Sequence, residues 1–132
     1  GGVTFGPLKT RNFSKKINKK MKRKALFMVL SDKLNNSNLI VLDKLQLEDI
    51  KTKIVNDILN NLEKNVLKQD KKRSTLILED KGDEKIKYSD RNLEGVKVVN
   101  IDNINILDLL KYRNIFLTKE GVKKLEERYK VK

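Results

Sequence analysis

The chain has 132 residues, enough for one ordinary domain with a hydrophobic core and too few for two. It contains neither cysteine nor histidine, which excludes disulfide frameworks, thiolate nucleophiles, zinc sites built from the usual ligands and Ser-His-Asp triads. No apolar run approaches the roughly 18 to 20 residues of a membrane span. No signal-peptide pattern opens the chain, so we expect a soluble, intracellular protein without membrane contacts.

The formal net charge of +13 is concentrated in the first part of the chain. Residues 1–24 contain nine basic residues and no acidic one, which leaves a net charge of only +4 for the rest. A local basic segment joined to a nearly balanced body is typical of a protein that binds a polyanion. The nine basic residues are Lys9, Arg11, Lys15, Lys16, Lys19, Lys20, Lys22, Arg23 and Lys24.

Residues 1–13 combine glycines with the only proline and show no hydrophobic periodicity, so we expect an extended arm. Gly1 and Gly6 have the G-x-x-x-x-G spacing of a phosphate-binding P-loop. A P-loop continues with Lys and then Ser or Thr, whereas Pro7 and Leu8 stand at these positions, and no predicted strand precedes them. We therefore expect the glycines to shape a turn or an arm and not to bind a nucleotide.

A helix is predicted after the arm, with Ser14 as its N-cap and the lysines on its exposed side. Residues 25–30 are apolar all round, so we expect this end of the helix to be buried while the first end projects a basic face. Four apolar residues at helical spacing predict the buried stripe: Ile17, Met21, Ala25 and Met28.

The rest of the chain alternates short apolar runs of the buried-strand type with helical periodicities. Helices are expected around residues 54–62, over 105–112 with Asn105 as N-cap, and after the last strand with Thr118 as N-cap. This alternation predicts a three-layer α/β/α fold with a mostly parallel four-stranded sheet. The predicted strands are residues 39–42, 74–78, 96–99 and 114–117.

Polar residues follow each predicted strand, where ligands of open parallel sheets usually bind. Their types are similar to the magnesium and phosphoacceptor site of response-regulator receivers, but their order along the chain differs and no proline follows Lys119. Solvated loop charges and helix caps account for them better, so a small enzyme is the less favoured alternative. These residues are Asp43, Glu79, Asp80, Asn100, Asp102, Thr118 and Lys119.

The basic helix favours nucleic acid as the partner, because each neutralised phosphate releases counterions. Calmodulin-target and membrane-surface helices share the pattern, but they need a free apolar face, which the core is expected to occupy. No RNP-like aromatic pair lies on a predicted strand, so we expect the protein to recognise the sugar-phosphate backbone and the shape of the nucleic acid and not to stack on its bases. Folded RNA suits such binding better than sequence-specific DNA, although charge alone does not decide between them.

Two weaker candidate contacts lie outside the basic segment. Lys51 and Lys53 flank Thr52 at the start of the second predicted helix, where free N–H groups could meet a phosphate. Arg91 and Asn92 either contact RNA or hold a turn of the fold, and the sequence favours neither interpretation.

Two stretches of the chain, "GGVTFGP" and "RNFSKKINKKMKRKALFMVLSDK", follow one another at its start. They resemble the G-G-x-x-x-G-P, basic residue and N-K-K-x-R-x-x-A-L-x-x-x-L-S of the universal L-four family of the large ribosomal subunit, of bacterial or organellar type, in the same order and with Lys22 in place of the arginine. "LIVLDKLQLEDIKTK", "SDRNLEGVKVVNIDNINILDLLKY" and "IFLTKEGVKKLEE" resemble its later stretches, so the similarity covers essentially the whole chain.

The resemblance implies a structural ribosomal protein that is not an enzyme and needs no cofactor or small-molecule substrate. Its expected partners are large-subunit ribosomal RNA and neighbouring large-subunit proteins, in a ribosome of the bacterial cytoplasm or of an organelle. Family members also have an amino-terminal strand and a long loop that lines the peptide exit tunnel. That region would precede Gly1, so "GGVTFGP" would be the point where the loop returns.

On this basis residues 1–13 are expected to form a basic arm and residues 14–132 an α/β globular RNA-binding domain. The nine basic residues should contact RNA phosphates, with Lys9 and Arg11 keeping the charges of a family run whose second proline is lost here. The arm residues expected to approach RNA with their backbone, or to stiffen the exit of the loop, are Gly1, Gly2, Gly6 and Pro7.

Overall fold

The computed structural model describes residues 1–45, 51–67, 72–80, 86, 88–89 and 92–130. Their central element is a sheet of four strands, all paired in parallel in the order β1-β4-β2-β3. The sequence predicted each strand to within one residue at either end, and the predicted α/β fold is confirmed. The strands are β1 (Leu39–Leu42), β2 (Thr75–Glu79), β3 (Val96–Asn100) and β4 (Asn114–Thr118).

Among the described residues, four α-helices with defined bounds surround the sheet, and two of them begin at the predicted caps. The Asn105 side chain accepts from the Asp108 N–H at 2.7 Å, and the Thr118 hydroxyl accepts from the Gly121 N–H at 3.1 Å. Both caps satisfy first-turn donors that have no partner within the helix. The helices are α1 (Lys19–Asn35), α2 (Thr52–Asn61), which continues as a π-helical turn (Leu62–Val66), α3 (Ile106–Lys111) and α4 (Lys119–Tyr129).

Alternate residues of the two central strands, β2 and β4, pack on opposite sides of the sheet, and each side has its own core. On one side, Leu76 and Ile115 pack with Leu26 of α1, Leu109 of α3 and Leu125 of α4. On the other side, Ile77 and Phe116 pack with Val55 and Leu59 of α2. Helices on both faces make the predicted three layers.

The buried face of α1 differs from the predicted stripe, which was wrong. Ile17, Met21 and Met28 are 63–66% exposed, and only Ala25 is half-buried. Leu26 enters the core instead, with Val29 and Leu30 packed against it. The expectation that residues 25–30 form a buried end of the helix is met only in part, because Phe27 and Met28 are exposed.

A buried lysine explains why the periodicity was misread. Lys33 lies one helical turn beyond Val29 and Leu30 on the buried face of α1. Its ammonium group donates to the backbone carbonyls of Tyr112, at 2.7 Å, and Arg113, at 3.2 Å. A pattern of apolar residues does not include a lysine, so hydrophobic periodicity does not detect the buried face that contains Lys33. It selects the uninterrupted apolar stripe instead, which in the structure faces solvent.

The start of α1 also differs from expectation, because Ser14 is not its N-cap. The helix begins at Lys19, preceded by Asn18 in an extended conformation and without a capping side-chain bond. The Ser14 N–H donates to the Asn12 side-chain oxygen at 2.8 Å. This local turn holds residues 12–14 outside the helix.

We expect Ser37→Gly to raise the free energy of unfolding by about 0.5 to 1 kcal/mol. Ser37 follows α1 with a φ of 55°, a left-handed conformation that glycine adopts without strain. The Asn38 and Ser37 N–H groups donate to the carbonyls of Lys33, at 2.9 Å, and Leu34, at 3.0 Å, as in a Schellman motif. Urea unfolding followed by circular dichroism measures the change, and a loss of stability would contradict it.

Candidate nucleic-acid interface

The nine basic side chains of residues 1–24 form a cationic surface on the arm and the first half of α1, which we call the basic face. Eight of them are exposed and Arg23 is half-buried. Within the part of the chain that the structure describes, none of the nine pairs with a carboxylate. The basic face therefore keeps its charge available for an external anion.

The first turn of α1 adds to the positive potential of the basic face. It contains no acidic residue, and Asn18 does not cap it through its side chain. The first N–H groups of a helix lack partners inside the helix and carry a partial positive charge. Backbone donors and lysine ammonium groups thus lie together at this end of the helix.

The arm presents two aromatic rings among its bases, and neither is among the site residues predicted from the sequence. Phe5 is 95% exposed and Phe13 is 73% exposed. The Arg11 guanidinium lies over the Phe13 ring, 5.1 Å from its centroid, and the Arg11 N–H donates to the Leu8 carbonyl at 3.1 Å. Exposed aromatic rings beside arginine can stack on unpaired bases. The signal that could have identified them is aromatic residues in a basic segment without apolar periodicity.

The fold itself does not require glycine in the arm. A side chain added at Gly1, Gly2 or Gly6 would meet no atom within 4 Å, and none of the three has a positive φ. Any need for glycine at these positions must therefore come from something that packs against the arm. Pro7 and Lys9 lie in the same exposed stretch.

The weaker candidates are not brought together with the basic face. Lys51, Thr52 and Lys53 are exposed at the start of α2, which packs on the side of the sheet opposite to α1. Asn92 is exposed in the turn before β3, whereas Arg91 lies outside the described residues.

Three of the carboxylates after the strands are engaged in ion pairs with basic residues of α4. Lys119 pairs with Asp43, and the Lys124 ammonium lies 2.8 Å from an Asp80 oxygen and 3.1 Å from an Asp102 oxygen. The hydrogen bonds that the Lys124 ammonium donates to the Asp80 and Asp102 carboxylates raise the pKa of Lys124. The described ranges contain no group of three or more residues arranged to hold a metal ion. These residues tie α4 to the strand ends and do not form a receiver-like site.

Comparison with known proteins identifies the family. A family described as "Ribosomal protein L4/L1 family" matches residues 1–128. The chain belongs to this family. Two relatives named large ribosomal subunit protein uL4 come from Clostridium botulinum (strain Okra / Type B1) and Finegoldia magna. They are 38% identical over 129 residues and 42% identical over 127 residues, covering 98% and 96% of this chain.

This L4/L1 family member spans 58% of the length of each of these relatives. Its membership confirms the resemblance seen in the sequence and the expectation that the chain is not an enzyme. Calmodulin-target and membrane-surface helices were excluded because the apolar stripe of the basic helix was expected to be buried, and that ground was wrong, since the stripe is exposed. Membership of a ribosomal protein family is now the ground for preferring the ribosomal interpretation. None of the helices in the described ranges has the length and apolar character needed to cross a membrane.

Proposed function

We propose that this chain is the part of a large-subunit ribosomal protein that holds ribosomal RNA through its basic face. The observation that carries the proposal is the set of nine bases in residues 1–24, none of which pairs with a carboxylate within the described residues. Its family and the printed names of its relatives support a place in the large subunit, beside neighbouring ribosomal proteins. The ribosome is that of a bacterial cytoplasm or of an organelle.

Lysine and arginine have different tasks on the basic face. The exposed lysines act as mobile point charges that neutralise phosphates and release counterions. Arg11 and Arg23 are suited to hold one phosphate through two parallel hydrogen bonds. Arg23 is half-buried, so its stem loses less freedom when it binds.

The arm of residues 1–13 brings backbone close to RNA. The empty space around Gly1, Gly2 and Gly6 can be filled by ribose and phosphate groups that would collide with larger side chains. Pro7 limits the conformations of the chain that leaves this stretch. By resemblance to the family, "GGVTFGP" is proposed to be the returning end of a loop in the wall of the peptide exit tunnel.

Secondary contacts are proposed at two further places. Lys51, Thr52 and Lys53 offer two ammonium groups and the first N–H groups of α2 to a phosphate. Arg91 and Asn92 are proposed as a contact of the turn before β3. The start of α2 lies on the side of the sheet opposite to α1, so a contact there would reach a different part of the folded RNA.

Replacing four exposed lysines of α1, Lys19, Lys20, Lys22 and Lys24, with alanine is expected to weaken binding to large-subunit RNA. The logarithm of the binding constant should also fall less steeply with the logarithm of salt concentration, by about 3 units of slope, because four phosphate contacts are lost. Alanine preserves helix propensity, so α1 should remain folded. Filter binding at several salt concentrations measures the slope, and circular dichroism checks the fold.

A matched control removes four exposed lysines that lie off the basic face and form no ion pair within the described residues. This control variant should keep most of the affinity and nearly all of the slope, since its charges are remote from the RNA. Equal slopes for the two variants would show that only net charge matters and would reject the basic face. The four control positions are Lys44, Lys64, Lys123 and Lys130.

A further inference from the structure

A second basic surface lies at the edge of the sheet where the strands begin. It is an open groove of about 470 Å³ between the end of α1, the end of α3 and the starts of β2 and β4. Every titratable side chain among the described lining residues is a base: Lys33, Lys72, Lys111 and Arg113. Leu110 is the only apolar residue of that described lining, and the Ser74 hydroxyl adds a polar group. We call it the strand-start groove.

The charges of the strand-start groove are poorly neutralised by the protein. Burial lowers the pKa of Lys33, and the nearby Arg113 charge lowers it further, while Asp32 acts in the opposite direction. The Lys33 ammonium donates to backbone carbonyls and to no carboxylate among the described residues. Lys72 pairs with Glu94 at 2.7 Å, but both side chains are at least 80% exposed, and such a pair is readily exchanged for another anion.

Lys111 and Arg113 are the two bases of the groove that remain most accessible. Both are exposed, and within the described ranges neither pairs with a carboxylate. The Lys111 ammonium lies 5.6 Å from the centroid of the Tyr112 ring. The Arg113 N–H donates to the Ser74 hydroxyl at 3.1 Å, so the backbone that carries the guanidinium is anchored to β2.

We infer that the strand-start groove binds phosphates of a second segment of large-subunit RNA, separate from the segment on the basic face. The inference rests on the proposed function, because it takes the same RNA as its ligand. Guanidinium and ammonium groups that share a groove, with no acidic residue in its described lining, match the charge of a phosphodiester backbone. A partner protein segment would instead require more apolar lining than Leu110 supplies.

Helix α1 connects the two surfaces at a set spacing. Lys19 on the basic face and Lys33 at the groove are roughly 21 Å apart along the helix axis at 1.5 Å per residue. The bonds from Lys33 to the carbonyls of Tyr112 and Arg113 attach the end of α1 to the start of β4. Two phosphate contacts at a set distance select RNA by its folded shape, which a single flexible basic segment cannot do.

The test is the double variant Lys111→Ala/Arg113→Ala in the 132-residue chain. The bond from the Arg113 backbone to Ser74 does not depend on the side chain, so the fold should be kept. Loss of two phosphate contacts should reduce the log–log salt slope of binding to large-subunit RNA by roughly 1.5 units. Amine labelling read by mass spectrometry should also show Lys111 protected when RNA is bound, while Lys123 stays reactive.

The control is Lys64→Ala/Lys123→Ala, which removes the same charge away from the groove. A salt slope that is reduced in the groove variant but not in this control supports the inference. This result does not depend on whether the lysines of α1 bind RNA, so a failure of the inference can be told apart from a failure of the proposed function. An unchanged slope, or equal slopes in both double variants, would overturn it. Protection of Lys111 that appears only after ribosomal proteins are added would also overturn it, in favour of an acidic protein segment.

Discussion

Arg73→Ala is expected to lower the free energy of unfolding by about 3 to 5 kcal/mol. The Arg73 Nε donates to the two carboxylate oxygens of Glu63 at 3.2 and 3.1 Å, and its terminal nitrogens donate to the side-chain oxygens of Asn56, at 2.7 Å, and Asn60, at 2.5 Å. The Thr75 hydroxyl adds a bond of 3.0 Å to Glu63. The Arg73 and Glu63 side chains are only 16% and 13% exposed. Removing the guanidinium leaves a buried, unpaired carboxylate with only the Thr75 hydroxyl as donor, and it takes the arginine donor from two amide oxygens.

The expected loss of stability comes mainly from leaving the buried Glu63 carboxylate without its ion-pair partner. A variant that also removes this carboxylate is therefore the control. In the double variant Arg73→Met/Glu63→Leu, no buried charge is left, so the loss of stability should be clearly smaller than for Arg73→Ala. Urea unfolding followed by circular dichroism measures both variants. If the double variant were as unstable as the single one, the cost would come from packing and not from the unpaired carboxylate.

Gly95→Ala is expected to lower the free energy of unfolding by about 2 to 4 kcal/mol. Gly95 has a φ of +79°, and a Cβ at this position would lie 2.2 Å from the carbonyl oxygen of Arg73 and 2.9 Å from its carbonyl carbon. The obstacle is backbone, so no side-chain rotation relieves it. The Gly95 carbonyl also accepts from the Thr75 N–H at 2.8 Å, which ties this turn to the start of β2.

Two other glycines serve as controls for Gly95. Gly6→Ala should leave stability unchanged, because a Cβ there meets no atom within 4 Å. Gly121→Ala should have an intermediate effect, since its Cβ would approach the Ile101 and Leu117 methyl groups at 2.7 and 2.9 Å, and side chains can shift. A thermal melt that ranks Gly6→Ala as the most damaging of the three would contradict the structure.

The strands and the parallel topology could be predicted because their signals are local. The run Leu39–Leu42 and the centres of β2 and β4 are short and apolar, as strands covered on both faces must be, while β3 is apolar except for Lys97. The caps Asn105 and Thr118 act within three residues of their partners, so their geometry is also encoded locally. The basic face could also be predicted from a local signal, since its nine basic residues follow one another in the chain with only short gaps.

Features that depend on distant residues could not be read in this way. The buried face of α1 includes Lys33, whose acceptors Tyr112 and Arg113 lie about 80 positions away. Burying a lysine ammonium without such acceptors would cost free energy, and the acceptors cannot be read from the sequence. Hydrophobic periodicity therefore favours the stripe through Met21 as the buried face, although this stripe is exposed in the structure. Arg73 likewise finds Glu63 only because the π-helical turn after α2 returns that side chain towards β2.

The sequence by itself determined the family, the α/β alternation and the cationic segment of residues 1–24, since each is written in contiguous residues. Only the tertiary structure decided which side of α1 packs on the sheet and which lysines meet at the start of its strands. Lys72 and Arg113 are far apart in the chain but line one groove, because parallel strands bring their first residues to the same edge. The charge of a segment follows from its own residues, whereas a surface built from distant segments exists only once the sheet topology brings those segments together.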